Sequence, residues 1–272
     1  MTATKTNLLG RILASKRAEI GRLVAGPPPS WHHRPGGLTF QTLRRPPGHP
    51  LRLIAEIKPR SPSAGILSTA MTVAERARAY AKAGAVMISV LVDEPFFGGS
   101  YDNLATCRET LDATYGTSRP RLLCKEFILD PVQLDQAVAA GADAVLLIAR
   151  IVSPDDLGAL VVHARDRALE PLVEVTTEDE LRAAEAAGAR VIGVNARDLD
   201  TLAMDQARAA AVLACIDASS VRVHLSGLAT PDDITRIAKG PADAALIGEA
   251  LMRKDDPTEL LSEMVKRAAD KP

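Results

Sequence analysis

The sequence predicts an α/β fold of the (β/α)8 type, the TIM barrel, with a helical extension at its N-terminus. Eight short apolar runs come after residue 51, and each is followed by a longer amphipathic stretch. Runs that are apolar throughout are typical of parallel strands buried on both faces. The phrases AKAGA, AAGADAV, AAGARVI and KGPADAA recur just before such runs and place a glycine where a helix ends. The length of 272 residues fits one barrel of about 250 residues, and a doubly wound open sheet is the alternative.

The first element is a helix over residues 4 to 24. Its leucines and isoleucines fall on one stripe at helical spacing, and the stripe ends at Gly26 and three consecutive prolines. Residues 27 to 50 are rich in Pro, Gly, His and Arg, which indicates a surface connection with room for one helical turn. We therefore expect residues 1–50 to form a helix and a connection packed on the barrel, and residues 51–272 to form the barrel.

The eight barrel strands are expected in the apolar runs. In chain order these are LRLIAEIK, VMISVLV, RLLCKEF, AVLLIAR, PLVEV, RVIGVNA, VRVHLS and AALIGEA. The amphipathic stretch after each run is expected to form a helix that packs on the outside of the sheet. In barrels of this class the chemistry lies at the carboxyl ends of the strands, so polar residues at those ends are the first candidates for a site.

Composition and charge exclude several classes of partner. Basic and acidic residues number 33 and 34, so the formal charge is −1 and neither nucleic acid nor a membrane surface is expected as a partner. No apolar run approaches the roughly 20 residues that a membrane helix needs. The polar N-terminus does not resemble a secretory signal, so we expect a cytoplasmic protein. The odd number and wide spacing of Cys107, Cys124 and Cys215 favour reduced thiols over disulfides or a metal site.

Polar side chains gather at the predicted carboxyl ends of five strands. The first strand ends in Glu56-Ile57-Lys58, and alternation along a strand places its acid and its amine on one face. The other ends are Cys124-Lys125-Glu126, Val173-Glu174-Val175, Asn195-Ala196-Arg197 and Leu225-Ser226-Gly227. Acids and amines that share a cleft shift one another's proton affinities, which suits general acid and base catalysis. A set of structural ion pairs that plug the barrel is the alternative interpretation.

Two glycine-containing loops indicate a phosphate site. Ser226-Gly227 follows the seventh strand and Gly248-Glu249 follows the eighth, and loops at these two places commonly hold phosphate in this fold. Small residues there let backbone N–H groups approach an anion closely. A phosphorylated small molecule is therefore the expected ligand, while glycines that only turn the chain are the alternative.

Six segments, taken in order, resemble the indole-3-glycerol-phosphate synthase family. They are IAEIKPRSPSAGIL (54–67), LCKEFILDP (123–131), LVEVTTEDEL (172–181), IGVNARDLDTL (192–202), LSGL (225–228) and LIGEALMRKDDP (246–257). The resemblance implies a TIM barrel with an extra N-terminal helical segment. It also implies that 1-(2-carboxyphenylamino)-1-deoxyribulose 5-phosphate is converted to indole-3-glycerol phosphate in tryptophan biosynthesis. The steps are ring closure, loss of CO₂ and loss of water, and the family uses no cofactor.

The resemblance also implies roles for residues of this sequence. Lys125 corresponds to the general acid that protonates the substrate carbonyl, and Glu174, Asn195 and the Glu56/Lys58 pair complete the catalytic set. The residues expected to hold the anthranilate half are Ser61, Asn195 and Arg197, with apolar walls formed by Phe97, Phe127, Leu146 and Leu199. The residues expected to hold the ribulose phosphate are Lys58, Ser226, Gly227, Gly248 and Glu249.

Leu225 is the clearest departure from the family pattern. It stands where the family usually has Glu before Ser-Gly, so one carboxylate is removed from the rim and the two lysines lose an anionic neighbour. Besides an ordinary synthase, three interpretations stay open. They are a specialised-metabolism paralogue that acts on a substituted anthranilate adduct, a Schiff-base aldolase with Lys125 as nucleophile, and a non-catalytic phosphosugar-binding barrel. We expect a monomer or a weak homo-oligomer.

Overall fold

A computed structural model describes residues 8–27, 29, 39–62, 64–198 and 200–269. Eight parallel strands form a closed barrel, and helices cover its outside. Each barrel strand pairs with the next one along the chain, and the last pairs with the first. The prediction of a (β/α)8 barrel with an N-terminal helix is confirmed, and the open-sheet alternative is wrong.

Each of the eight predicted runs coincides with one barrel strand, and only β7 begins before its run, by one residue. The strands in chain order are β1 (Arg52–Ile57), β2 (Arg60–Ser61), β3 (Gly65–Ile66), β4 (Met87–Leu91), β5 (Arg121–Lys125), β6 (Ala144–Ile148), β7 (Glu170–Val175), β8 (Val191–Asn195), β9 (Val221–Leu225) and β10 (Ala244–Ile247). Within this set β2 and β3 form a short antiparallel hairpin in the loop after β1, and the other strands form the barrel.

Helices connect the barrel strands and precede the first of them. They are α1 (Leu8–Ala25), α2 (Thr39–Leu43), α3 (Val73–Lys82), α4 (Glu94–Phe97), α5 (Tyr101–Tyr115), α6 (Pro131–Ala139), α7 (Pro154–Asp166), α8 (Glu178–Ala186), α9 (Gln206–Cys215), α10 (Pro231–Ala238), α11 (Glu249–Met252) and α12 (Thr258–Ala269). Capping boxes at Thr72, Asp130 and Thr230 fix where three of them begin. Over the described ranges, no helix has both the length and the apolar character that crossing a membrane requires.

The barrel strands carry an apolar layer on each side. On β1, Leu53, Ala55 and Ile57 pack in the layer between strands and helices, while Ile54 belongs to the cluster inside the barrel. Glu56 shares the inward face with Ile54 and lies nearer the carboxyl end of the strand. Apolar side chains therefore fill the barrel interior, and the polar residues at the strand ends are left to line a cavity above them.

The N-terminal segment contacts both ends of the barrel. Leu9 and Ile12 of α1 are buried at the mouth, where the carboxyl ends of the strands lie. At the opposite end α2 buries Leu43, and the Arg44 guanidinium donates hydrogen bonds to the carbonyl oxygens of residues 218–220, just before β9. The helical extension is thus part of the barrel mouth and does not only lie on the outside of the fold.

Candidate active site at the barrel mouth

A cavity of about 380 Å³ opens at the carboxyl ends of the barrel strands. Its wall contains every candidate residue that the structure describes, namely Glu56, Lys58, Ser61, Phe97, Lys125, Phe127, Leu146, Glu174, Asn195, Arg197, Ser226, Gly227, Gly248 and Glu249. Leu199, also expected in the apolar wall, lies outside the described residues. The fold therefore brings residues from all eight barrel strands, or from the loops that follow them, to one site.

Strand β1 and the residue that follows it supply an ion pair to the cavity. Lys58 Nζ lies 2.7 Å from Glu56 Oε1, as expected for two residues that share one face of an extended chain. Glu56 is buried, and its Oε2 atom has no hydrogen-bond partner in the described part of the chain. A buried carboxylate oxygen that lacks a donor can accept a proton or a hydrogen bond from a bound molecule.

A second set of polar groups links strands β5, β7 and β8. Lys125 Nζ at the end of β5 lies 3.5 Å from Glu174 Oε2 on β7, and Glu174 Oε1 accepts a hydrogen bond of 2.8 Å from Asn195 Nδ2 on β8. Asn195 Oδ1 in turn accepts from the backbone N–H of Arg197 at 2.9 Å. This network fixes the Glu174 carboxylate, while the Lys125 ammonium is held by a longer contact and stays 21% exposed toward the cavity. The arrangement places a proton donor next to a buried proton acceptor.

The apolar part of the cavity is formed by aromatic and aliphatic side chains. The Phe97 and Phe127 rings lie 6.0 Å apart between centroids and are tilted by 31°. Leu146 on β6 and Leu246 on β10 extend this wall toward the barrel interior. A flat, apolar ring fits such a surface better than a polar group does, because burial of the ring replaces contacts with water by contacts with carbon atoms.

Helix α1 contributes residues to the cavity that the sequence did not predict there. Leu8, Leu9 and Ile12 line it, and all three lie on the apolar stripe that identified the helix. The stripe predicts that one face of the helix is buried, but it carries no information about which surface covers that face. The only signal in the sequence was therefore the amphipathic pattern itself.

The loops after β9 and β10 form the other end of the cavity. Ser226 and Gly227 both have positive φ angles, 70° and 76°, which turns the chain sharply at the rim. A Cβ atom on Gly248 would lie 2.5 Å from Glu56 Oε1 and 3.3 Å from Lys58 Nζ, so the absence of a side chain there makes room for the ion pair. The Glu249 carboxylate is engaged by Arg253, at 2.7 Å, and only the backbone of Glu249 is free to face an anion.

Leu225 fills the wall between the two polar ends. It is buried at the end of β9 and lines the cavity. A Cβ atom on Gly193 would lie 2.7 Å from Leu225 Cδ1, so the leucine occupies the space above that glycine on the neighbouring strand β8. The site consequently has two lysine–carboxylate pairs separated by an apolar side chain.

Sequence comparisons place this chain among enzymes of one family. A family model described as indole-3-glycerol phosphate synthase matches residues 9–264. The synthase from Shouchella clausii is 38% identical over 263 residues, which cover 96% of this chain and 99% of that protein. The synthase from a Nocardioides species is 43% identical over 205 residues, covering 75% and 76%. Indole-3-glycerol phosphate synthase 2 from Streptomyces coelicolor is 39% identical over 248 residues, covering 91% and 90%.

Solved structures with the same architecture have much lower sequence identity. The tryptophan synthase alpha chain from Legionella pneumophila has a TM-score of 0.60 and 16% identity, covering 80% of this chain and 92% of that one. A thiamine phosphate pyrophosphorylase from Pyrococcus furiosus has a TM-score of 0.61 and 18% identity, covering 80% and 95%. At these identities the likeness shows the barrel fold alone.

Proposed function

The chain belongs to the indole-3-glycerol phosphate synthase family, and on that premise we propose that the cavity at the barrel mouth is its active site. The chain is a carbon–carbon lyase of tryptophan biosynthesis. It converts 1-(2-carboxyphenylamino)-1-deoxyribulose 5-phosphate to indole-3-glycerol phosphate, CO₂ and water. The observation that supports this site best is the pairing of Lys125 with Glu174 across a cavity from the Glu56–Lys58 pair.

Ring closure needs an acid at the substrate ketone. The ring carbon that carries the carboxylate attacks the ketone carbon, and the ketone oxygen takes a proton as its double bond opens. We assign that proton to Lys125, because its ammonium faces the cavity and its contact with Glu174 is long. Loss of CO₂ then returns the bonding electrons to the ring and restores its aromaticity.

Dehydration needs an acid and a base together. The hydroxyl group made by ring closure leaves as water after it receives a proton, and the neighbouring carbon gives up a proton to form the indole double bond. We assign these transfers to the Glu56–Lys58 pair and to Glu174, whose carboxylates are both buried and held by neighbours. General acid or base catalysis contributes about 10²- to 10⁴-fold per group, so no single side chain has to supply the whole rate enhancement.

The substrate carboxylate and the aryl ring are assigned to the apolar end of the cavity. Ser61, Asn195 and Arg197 supply hydrogen-bond donors there, while Phe97 and Phe127 form the wall. Burying a carboxylate beside apolar side chains is unfavourable, so departure of CO₂ relieves that cost as the reaction proceeds.

The phosphate group is assigned to the loops after β9 and β10. Ser226 and Gly227 offer backbone N–H groups at a sharp turn, and Gly248 and Glu249 offer theirs on the other side. Lys58 lies at the same end and supplies a positive charge. The Glu249 side chain is expected to stay paired with Arg253, so that its carboxylate does not repel the phosphate.

Direct turnover tests this assignment. Protein mixed with the carboxyphenylamino-deoxyribulose phosphate is expected to develop indole fluorescence, with inorganic phosphate acting as a competitive inhibitor. Binding without fluorescence would instead indicate a non-catalytic phosphosugar-binding barrel. Trapping of a covalent adduct by borohydride and an aldehyde substrate, lost in Lys125→Ala, would indicate an aldolase.

Leu225→Glu tests whether this chain is an ordinary synthase or acts on a substituted adduct. We expect the natural protein to turn over the unsubstituted adduct. The rate of the variant on that adduct is expected to lie within about tenfold of the natural protein's rate, which corresponds to a difference of roughly 1.4 kcal/mol in the activation free energy. The reason is that both lysine–carboxylate pairs are complete without a carboxylate at this position. Steady-state kinetics measure the effect, and Leu225→Gln is the uncharged control of equal size. A natural protein that turns over the unsubstituted adduct slowly, and whose rate rises more than tenfold in Leu225→Glu but not in Leu225→Gln, would point to a specialised paralogue.

Three finer proposals accompany the function. We propose a cytoplasmic location, supported by the free thiols of Cys107, Cys124 and Cys215, which a reducing compartment maintains.

We propose a monomer or a weak homo-oligomer, because the cavity is lined by residues from all parts of one chain. We also propose that residues 1–50 act as a unit packed on the barrel of residues 51–272.

A further inference from the structure

A buried ammonium group joins helix α1 to the barrel mouth. The Lys16 side chain is fully buried, and its Nζ lies 2.8 Å from Glu19 Oε2, 3.0 Å from Asp93 Oδ2 and 2.8 Å from Glu126 Oε2. Asp93 and Glu126 are themselves fully buried and belong to the loops after β4 and β5. One cation on the N-terminal helix therefore holds two separate barrel loops. Lys16 itself does not belong to the wall of the cavity.

Each of these two carboxylates also holds one aromatic side of the cavity. Asp93 Oδ1 accepts hydrogen bonds from the backbone N–H groups of Phe96, at 2.8 Å, and Phe97, at 3.1 Å. Glu126 Oε1 accepts from the backbone N–H of Phe127 at 2.6 Å. Each carboxylate thus uses one oxygen for Lys16 and the other for the backbone of a phenylalanine that lines the cavity.

The charges in this junction depend on one another. Burial raises the pKa of Glu126 to about 7, an effect that the Lys16 ammonium opposes and the nearby Asp93 carboxylate adds to. Burial alone would lower the pKa of Lys16, but its contacts with Glu126, Glu19 and Asp93 outweigh that effect and hold the pKa above its ordinary value. Without Lys16, two buried carboxylates would face each other with no cation between them, which is strongly unfavourable.

We propose that Lys16 is a positioning residue for the reaction. It holds Phe97 and Phe127, through Asp93 and Glu126, in the arrangement that receives the aryl ring of the substrate, and it fixes α1 with Leu8, Leu9 and Ile12 against the same ring. This inference rests on the proposed function, since the wall is taken to bind the anthranilate half. Lys16 acts on the ring end of the cavity and not on the phosphate end.

The Lys16→Met variant tests the proposal, with Arg17→Met as its control. Arg17 lies next along α1 and is exposed, so the control removes the same charge from the same helix. We expect Lys16→Met to raise KM for the substrate by about tenfold or more, as expected when an apolar pocket fits its ligand less closely. We expect kcat to fall much less, and Arg17→Met to leave both unchanged.

Two ligands that each match one half of the substrate distinguish a loss of ring positioning from a general loss of binding. Anthranilate probes the ring end and inorganic phosphate probes the other end of the cavity. Lys16→Met is expected to weaken inhibition by anthranilate about as much as it raises KM and to leave inhibition by phosphate unaltered. Equal loss of both inhibitions, or unaltered anthranilate binding in folded Lys16→Met, would overturn the proposal.

A second variant covers the case in which Lys16→Met does not fold. Lys16→Met combined with Glu126→Gln removes one buried negative charge, and the Gln Oε1 can still accept from Phe127 N–H. The double variant is expected to fold and to keep the selective loss of anthranilate binding. If neither variant folds, the junction serves stability alone and the proposal is wrong. If the natural protein makes no indole product, the proposed function fails, whereas direct titration of the natural and variant proteins with anthranilate, which needs no turnover, still decides the role of Lys16.

Discussion

Lys125→Ala is expected to lower kcat by at least about 100-fold while the protein stays folded. The variant removes the ammonium group that we assign to protonation of the ketone, and loss of a general acid has an effect of that size. The fold should survive because Glu174 keeps its hydrogen bond to Asn195 and the Lys125–Glu174 contact is a long one. Steady-state kinetics with indole fluorescence measure kcat, and thermal unfolding checks the fold.

A matched control shows whether the fall in kcat is specific to Lys125 or follows the removal of any lysine. Lys239 is exposed at the end of α10 and does not line the cavity. Lys239→Ala is therefore expected to leave kcat unchanged. Near-normal kcat in Lys125→Ala would remove Lys125 from the catalytic set. The proton donor would then have to be sought in the Glu56–Lys58 pair.

Gly248→Ala is expected to lower kcat/KM by about 100-fold or more and to weaken inhibition by inorganic phosphate. The added Cβ would lie 2.5 Å from Glu56 Oε1, so the buried carboxylate has to shift from its present position beside Lys58. That shift disturbs both an assigned acid–base group and the cation assigned to the phosphate, and effects of this size follow when positioned groups are displaced by about 1 Å. Initial rates over a range of substrate and phosphate concentrations measure both quantities.

Gly158→Ala is the control for the added methyl group. Gly158 lies within α7, and a Cβ there would meet nothing within 4 Å. It should leave kinetics unchanged and stabilise the helix by up to about 1 kcal/mol. Gly248→Ala with unaltered phosphate inhibition and normal kcat/KM would show that the ion pair does not need the space that the glycine provides.

The barrel was predictable because its signals are local. An apolar run such as that of β6, followed by an amphipathic stretch, identifies a strand and a helix without knowledge of the rest of the chain. Alternation along β1 placed Glu56 and Lys58 on one face, and the structure places them 2.7 Å apart. Knowing that parallel strands end at one rim was then enough to bring Lys125, Glu174 and Asn195 to the same mouth.

The rest of the site depends on contacts between distant parts of the chain. The spacing of α1 places Lys16 on the same stripe as Ile12, but it does not show that Ile12 lines the cavity or that Lys16 lies between Asp93 and Glu126. A lysine in an amphipathic helix ordinarily lies on the solvent side, so here the residue type, and not the spacing, points the wrong way. The pairing of Glu249 with Arg253 is likewise a property of side-chain packing at the rim, and the sequence alone assigned that carboxylate no partner.

The junction made by Lys16 has a consequence for the order in which a newly made chain can assemble. Lys16 and Glu126 are separated by 110 residues, so α1 leaves the ribosome long before its partner exists. At about 5–20 residues per second, the helix waits on the order of ten seconds with its apolar stripe and its ammonium in water. The first helix therefore cannot make this junction until the third of the eight barrel strands, β5, has been synthesised. Phe97 and Phe127 are likewise held by their carboxylates only once the loop after β5 has emerged.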